Sequence, residues 1–346
     1  MTIVPDALFP IIYGPTASGK SAVALHLVDA LAGHGIAAEI VTADAFQIYR
    51  GMDIGTAKPT IAERARVAHH LVDIVDPYAT ENSDPTGGRP LTHETFSAQD
   101  WLVQAEQLIG ALRARGIMPV VVGGTSLYVQ SLLFGMFEGP PADDALRREL
   151  RDMTPEARRA ELLRVDPVSA AKLHFADERR TVRAIEVFRV TGIAISVHQA
   201  QWAGKPARSD ARLFVLDWEK DELNRRINTR VKQMMASGLV HEVRSLCAAL
   251  HGRLLGPQSR EAIGYKQLLH LFEPHDGLRP GEPRQREIDD AVEQIKIVTR
   301  RFGKNQRTWT RRIALTAGTR LLDGSISASA HAQTIAASLL NVSGVG

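Results

Sequence analysis

The segment Gly14-Pro15-Thr16-Ala17-Ser18-Gly19-Lys20-Ser21 has the spacing G-x-x-x-x-G-K-[ST], and its flanks limit the folds open to the chain. Ahead of it, Leu8-Phe9-Pro10-Ile11-Ile12-Tyr13 is a short apolar run suited to a buried strand. Behind it, Ser21 to Ala32 carries Val23, Ala24, Leu27, Val28 and Leu31 at the spacing of a helix with one buried face. A glycine-rich turn between strand and helix aims backbone N–H groups and the positive end of the helix dipole at one point, which favours a polyphosphate there. Lys20 adds a cationic contact, and the Ser21 hydroxyl is a candidate ligand for Mg²⁺.

The following segments repeat the alternation of strand and helix. Ala38 to Ala43 reads as a strand ending at Asp44, and a carboxylate at the C-terminal end of a strand beside a phosphate loop is well placed for chemistry. The polar, glycine-punctuated stretch from Gln47 to Pro59 reads as an active-site loop. His69 and His70 stand in an apolar run without a repeated ligand spacing, so they read as structural. Thr80 to His93 reads as a polar loop and Phe96 to Arg115 as a helix. Met118 to Val122 reads as a strand buried on both faces, and Gly123-Gly124-Thr125-Ser126 opens another helix with donors at its mouth. The expected fold is α/β: a P-loop NTPase-like parallel sheet flanked by helices, with right-handed crossovers.

After Gly139-Pro140-Pro141 the pattern changes to arginine-rich helices, broken at Pro155 and Pro167, as far as Thr191. This marks an inserted all-helical domain and the division 1–138 for the first part of the core, 139–207 for the insertion, and 208–346 for the second part. Arg212 to Asp217 returns to strand, and the helix from Asp221 brings Arg225, Arg226 and Arg230 within two turns of one another, where one face can reach phosphates. A glycine- and proline-rich break at His275 to Pro283 precedes a last strong helix, Arg284 to Trp309. The Ser- and Ala-rich tail after Leu322 carries no clear signal.

The apolar content of 44% supports a core, and no apolar run is long enough to span a bilayer. The single cysteine, Cys247, excludes an internal disulfide and a multi-cysteine zinc site. With no signal-peptide pattern at the start, a cytoplasmic monomer is expected. The net charge of +3 is a weak sign of nucleic acid, but basic residues gather at Arg147 to Arg164, Arg179 to Arg189 and Arg300 to Arg312.

Taken together, the motifs resemble those of the tRNA dimethylallyltransferases from about Phe9 to Arg312. The P-loop is shared by many families. The specific parts are Thr42-Ala43-Asp44 with Gln47 to Pro59, His69-His70-Leu71-Val72-Asp73, and Val121 to Thr125 with Leu127-Tyr128. Arg179-Arg180 through Val187, Ala262-Ile263-Gly264-Tyr265-Lys266, and Gln306 with Thr308-Trp309 complete the set.

The resemblance implies transfer of a dimethylallyl group from dimethylallyl diphosphate to N6 of an adenine next to the anticodon, with Mg²⁺ as cofactor and the tRNA anticodon stem-loop as partner. Gly14, Pro15, Thr16, Ala17, Ser18, Gly19, Lys20 and Ser21 would hold the diphosphate in place of ATP, with Arg226 and Arg230 adding contacts. Asp44 would be the general base, with Lys20 on the leaving group and Thr125 at the target nucleotide. Ala45, Phe46, Gln47, Arg147, Arg179, Arg180, Thr181, Val182, Arg183, Lys304, Gln306 and Trp309 match positions near the RNA. The sequence departs from the family pattern at Ala45, Ser126, Phe175-Ala176 and Asn305. An isopentenyltransferase acting on free adenine nucleotides and a P-loop kinase are the alternatives. The helical insertion and the motif around Gln306 favour tRNA.

Overall fold

The computed structural model describes residues 8–78, 96–136, 139–200, 206–248, 255–273 and 281–340. The loop expected at Thr80 to His93 lies outside these residues, as does most of the break at His275 to Pro283. The chain divides into two compact units, 1–133 with 208–346, and 134–207.

In the larger unit, β1 (Phe9–Tyr13) leads to α1 (Lys20–Gly33) and β2 (Ala38–Ala43), then to α2 (Ile61–Arg66) and the two-residue β3 (His69–His70). Next come α3 (Ala98–Ala114), β4 (Met118–Gly123) and α4 (Ser126–Phe134). Every pairing within the described six-stranded sheet is parallel, and the order across it is β3-β2-β4-β1, continued by β5 (Ala211–Asp217) and β6 (Arg320–Asp323). All residues of β1 and β4 are buried, as the continuous apolar runs require of strands covered on both faces. Trp101 of α3 stacks on Tyr128 of α4 with ring centroids 4.5 Å apart, and its indole N–H donates to the Thr42 carbonyl at 2.9 Å. That bond satisfies a buried polar atom while pinning α3 to the sheet.

The smaller unit consists of α5 (Asp144–Asp152), α6 (Pro155–Val165), α7 (Pro167–Lys172), α8 (Glu178–Thr191) and α9 (Ile195–Ala200). Asp143, Thr154, Asp166 and Asp177 cap α5 to α8 by accepting a backbone N–H. Pro155 and Pro167 occupy first helical positions, so each begins a helix where the sequence suggested a break. Leu150, Leu162, Val165, Ala170, Val182 and Ile185 form its core.

The larger unit resumes with α10 (Lys220–Ala236), α11 (Leu239–Ala248), a short 3-10 turn at Ser259–Glu261, α12 (Tyr265–Leu269), α13 (Gln285–Ile313) and α14 (Ala328–Leu340). The tail is structured: β6 extends the sheet beside β5, and α14 packs along α1. Among the described residues, no helix is long and apolar enough to cross a membrane.

Candidate active site

Three turns leave the C-terminal ends of β1, β2 and β4, which are neighbours in the sheet. Ligands in open α/β sheets bind at such ends. The first turn is the P-loop. Gly19 caps α1 at φ 90°, where a side chain would be strained, and Ala17 adopts φ 61° despite its Cβ. The left-handed turn is held from α10. Arg226 Nε donates to the Ala17 carbonyl at 2.8 Å and its guanidinium lies 4.2 Å from the Trp218 ring centroid, while Trp218 Nε1 donates to the Ser18 carbonyl at 3.0 Å. Arg226 therefore shapes the loop as well as standing beside it. Arg225 is exposed and ion-paired to Glu222. Among the described residues the Ser18 hydroxyl is buried without a hydrogen-bond partner, and Ser21 is exposed at the start of α1.

The second turn carries Asp44. Its Oδ1 accepts from the Phe46 N–H at 2.9 Å and the Gln47 N–H at 3.3 Å. Gln47 does not present its amide outward: Nε2 donates to the carbonyls of Thr56 and Ala57. The loop from Tyr49 to Pro59 is braced further by buried Lys58, which binds Asp53, Asp73 and the Tyr49 carbonyl. Glu242 of α11 accepts backbone N–H groups of Asp53, Ile54 and Gly55.

The third turn joins the second through Thr125, whose hydroxyl accepts from the Ala45 N–H at 3.0 Å and whose N–H donates to the Ala43 carbonyl at 3.3 Å. The bond at Ala45 is made by the backbone, so it is independent of the side chain there. Ser126 pairs its hydroxyl with that of Tyr13 at 2.7 Å.

Lys20, Arg230 and Asp44 interact electrostatically. Burial, and next the Arg230 guanidinium, push the Lys20 ammonium down to about 8, with Asp44 pulling the other way. Burial also lowers Arg230, again opposed by Asp44. Arg230 makes no hydrogen bond to the described residues. It lines a cavity of about 810 Å³ whose wall includes Ile54, Ala57, Ile61 and Met234 together with Lys58 and Arg64.

The positions matched to RNA divide sharply. Arg179 and Arg180 are exposed on α8, Arg180 paired with its helix cap Asp177, and Lys304 and Trp309 are exposed on α13. Thr181 and Val182 are 5% and 4% exposed, Val182 lying in the core of the helical unit. Arg147 and Arg183 also turn inward: both bind Glu186, whose side chain is fully buried, with Arg147 gripping it through two nitrogens at 2.8 and 3.0 Å. Gln306 is likewise buried, with Oε1 accepting from the Thr16 N–H at 2.8 Å and Nε2 donating to the Gly124 carbonyl at 2.9 Å. The regular spacing of basic residues on a helix could not reveal that Glu186 supplies an interior anion.

Residues 47–313 match the sequence profile described as "IPP transferase". A tRNA dimethylallyltransferase of Geobacter metallireducens is 41% identical over 309 residues, covering 87% of this chain and 89% of the relative. One from Citrifermentans bemidjiense is 39% identical over 299 residues, 86% of this chain and 87% of the relative. The crystal structure of the full-length tRNA isopentenylpyrophosphate transferase of Bacillus halodurans superposes with a TM-score of 0.61 at 31% identity, covering 97% of this chain and 98% of that one.

Proposed function

Because the chain belongs to the IPP transferase family, we propose that it moves a dimethylallyl group from dimethylallyl diphosphate to N6 of adenine 37, beside the tRNA anticodon. One observation carries the assignment of the donor site: two half-buried cations, Lys20 and Arg230, both feel one carboxylate, Asp44, beside the loop that opens a helix. The uncompensated positive charge suits a diphosphate, and the unpartnered Ser18 hydroxyl suits one of its oxygens.

As the C–O bond of the donor breaks, negative charge gathers on the departing diphosphate, where Lys20, Arg230 and the loop N–H groups stabilise it. The N6 lone pair of adenine is delocalised into the ring and weakly nucleophilic. Asp44 offsets this by accepting the N–H proton. With Oδ1 engaged by Phe46 and Gln47, Oδ2 is left for that proton. The Thr125 hydroxyl, already an acceptor from Ala45, retains its own proton to donate to the target nucleotide. The adenine leaves its stack to reach these groups, and Arg179, Arg180, Lys304 and Trp309 supply charge and an aromatic face to the RNA.

Mg²⁺ supplies positive charge at the diphosphate when bound. The described residues contain no group of three or more His, Cys, Asp and Glu side chains suited to a metal. The Ser21 hydroxyl together with substrate oxygens fits a cation held mainly by the diphosphate. The same reading takes the enzyme to be a cytoplasmic monomer.

Incubation with dimethylallyl diphosphate, Mg²⁺ and unmodified tRNA, followed by nucleoside mass analysis, should yield N6-isopentenyladenosine. Free AMP should be a poor acceptor. Efficient prenylation of AMP with none of tRNA would refute the assignment.

A further inference from the structure

Gln306 is separated by 290 residues from Thr16 and by 182 from Gly124, yet it hydrogen-bonds both. Its amide has one acceptor and one donor end, and the two partners fix which way it points: the Thr16 N–H requires the oxygen, and the Gly124 carbonyl requires the nitrogen. The packing is close. A Cβ at Gly124 would stand 2.9 Å from Gln306 Nε2, 3.1 Å from the Gly14 carbonyl oxygen and 3.4 Å from Lys20 Nζ. The helix itself is seated by Gly303, where a Cβ would come within 3.1 Å of Ile227 on the helix that carries Arg226 and Arg230.

These contacts form one chain of hydrogen bonds. Thr16 lies in the diphosphate loop, Gln306 joins it to Gly124, and the adjacent Thr125 joins Ala45, next to Asp44. We infer that Gln306 is a positioning residue that fixes the spacing between the leaving-group half of the site and the acceptor half. The inference rests on the prenyl-transfer reading. Its chemical consequence concerns the fate of the allylic carbon once the C–O bond breaks. In correct register that carbon bonds to N6 while Asp44 takes the N–H proton. Out of register, water attacks instead, giving dimethylallyl alcohol, diphosphate and a proton. Misplacement by about 1 Å costs roughly a hundredfold in rate.

The test uses Gln306→Met, which keeps volume but loses both bonds, and Gln306→Glu, which keeps the acceptor for Thr16 but sets an oxygen against the Gly124 carbonyl. Diphosphate released and N6-isopentenyladenosine formed are counted in parallel, with melting temperature recorded. Wild-type enzyme making one diphosphate per modified adenosine establishes the underlying reaction independently of either variant. The expected result is a kcat for transfer lowered about a hundredfold, both KM values within about threefold of wild type, and more diphosphate than modified adenosine. Wild-type kcat with a ratio of one in either folded variant overturns the inference. A lower melting temperature with kcat and ratio unchanged also overturns it, since Gln306 would then serve stability alone.

Discussion

Raising the pH should switch this site off through Lys20. Its ammonium is lowered to about 8 by burial and by Arg230, with Asp44 opposing. Above that value the cationic fraction falls about tenfold per pH unit, so about a tenth of the free enzyme carries the charge at pH 9. The measurement is initial diphosphate release at limiting dimethylallyl diphosphate and saturating tRNA, because kcat/KM for the donor reports groups on enzyme without donor. The profile should break near pH 8. At saturating donor the bound diphosphate favours the charged lysine, so the break in kcat should move to higher pH. Lys20→Arg is the control, since a guanidinium keeps its charge throughout this range. That variant should be slower but lack the break. Stability runs the opposite way: between about pH 8 and 10.5 the folded chain holds fewer protons on Lys20 than the unfolded chain, so this group's contribution to stability rises with pH there. Loss of activity therefore cannot be ascribed to unfolding through Lys20. A flat donor kcat/KM across that window, or an identical break in Lys20→Arg, would refute the assignment.

Asp44→Asn should preserve donor and tRNA binding while lowering kcat by about two to four orders of magnitude, the range for a general base; near wild-type transfer in single-turnover assays would give Asp44 another role. Arg179→Ala should raise KM for tRNA and reduce the magnitude of the salt slope of binding by about one, leaving KM for dimethylallyl diphosphate unchanged. An unaltered salt slope would remove Arg179 from the interface. Glu186→Gln should destabilise the helical unit by about 3 kcal/mol, the low end for a broken buried pair because Arg147 and Arg183 remain partly exposed. Equilibrium denaturation followed by helix content measures this change, and wild-type stability would show that the two arginines do not depend on Glu186.

The strand–loop–helix around Gly14 to Ser21 was legible because its geometry is local: a strand, a turn of glycines and a helix place backbone donors wherever that order occurs. The position of Asp44 was legible for the same reason, as the residue that follows a strand. Side-chain direction on the arginine-rich helices was not. Arg147, Arg179, Arg180 and Arg183 are equivalent as charges in a sequence, but only buried Glu186 decides that the first and last turn inward. Thr181 and Val182 follow from that same rotation of α8. The tail escaped because β6 has four residues and acquires its place by pairing with β5, while α14 acquires its place against α1.

Distance along the chain hides the remaining part of the site. Three neighbouring strands bring the turns after Tyr13, Ala43 and Gly123 to one end of the sheet, but parallel pairing fixes only the strands and leaves each turn its own freedom. Side chains from elsewhere remove it. Arg226 and Trp218 hold the first turn, Thr125 ties the third to the second, and Gln306 ties the third to the first. Since α10 and α13 pack together and carry Arg226, Arg230 and Gln306, the same helix pair holds the first turn through Arg226 and Gln306 and sets Arg230 near it. Lys304 and Trp309, on the exposed face of α13, lie within one turn of Gln306 and so of its bond to the Thr16 N–H.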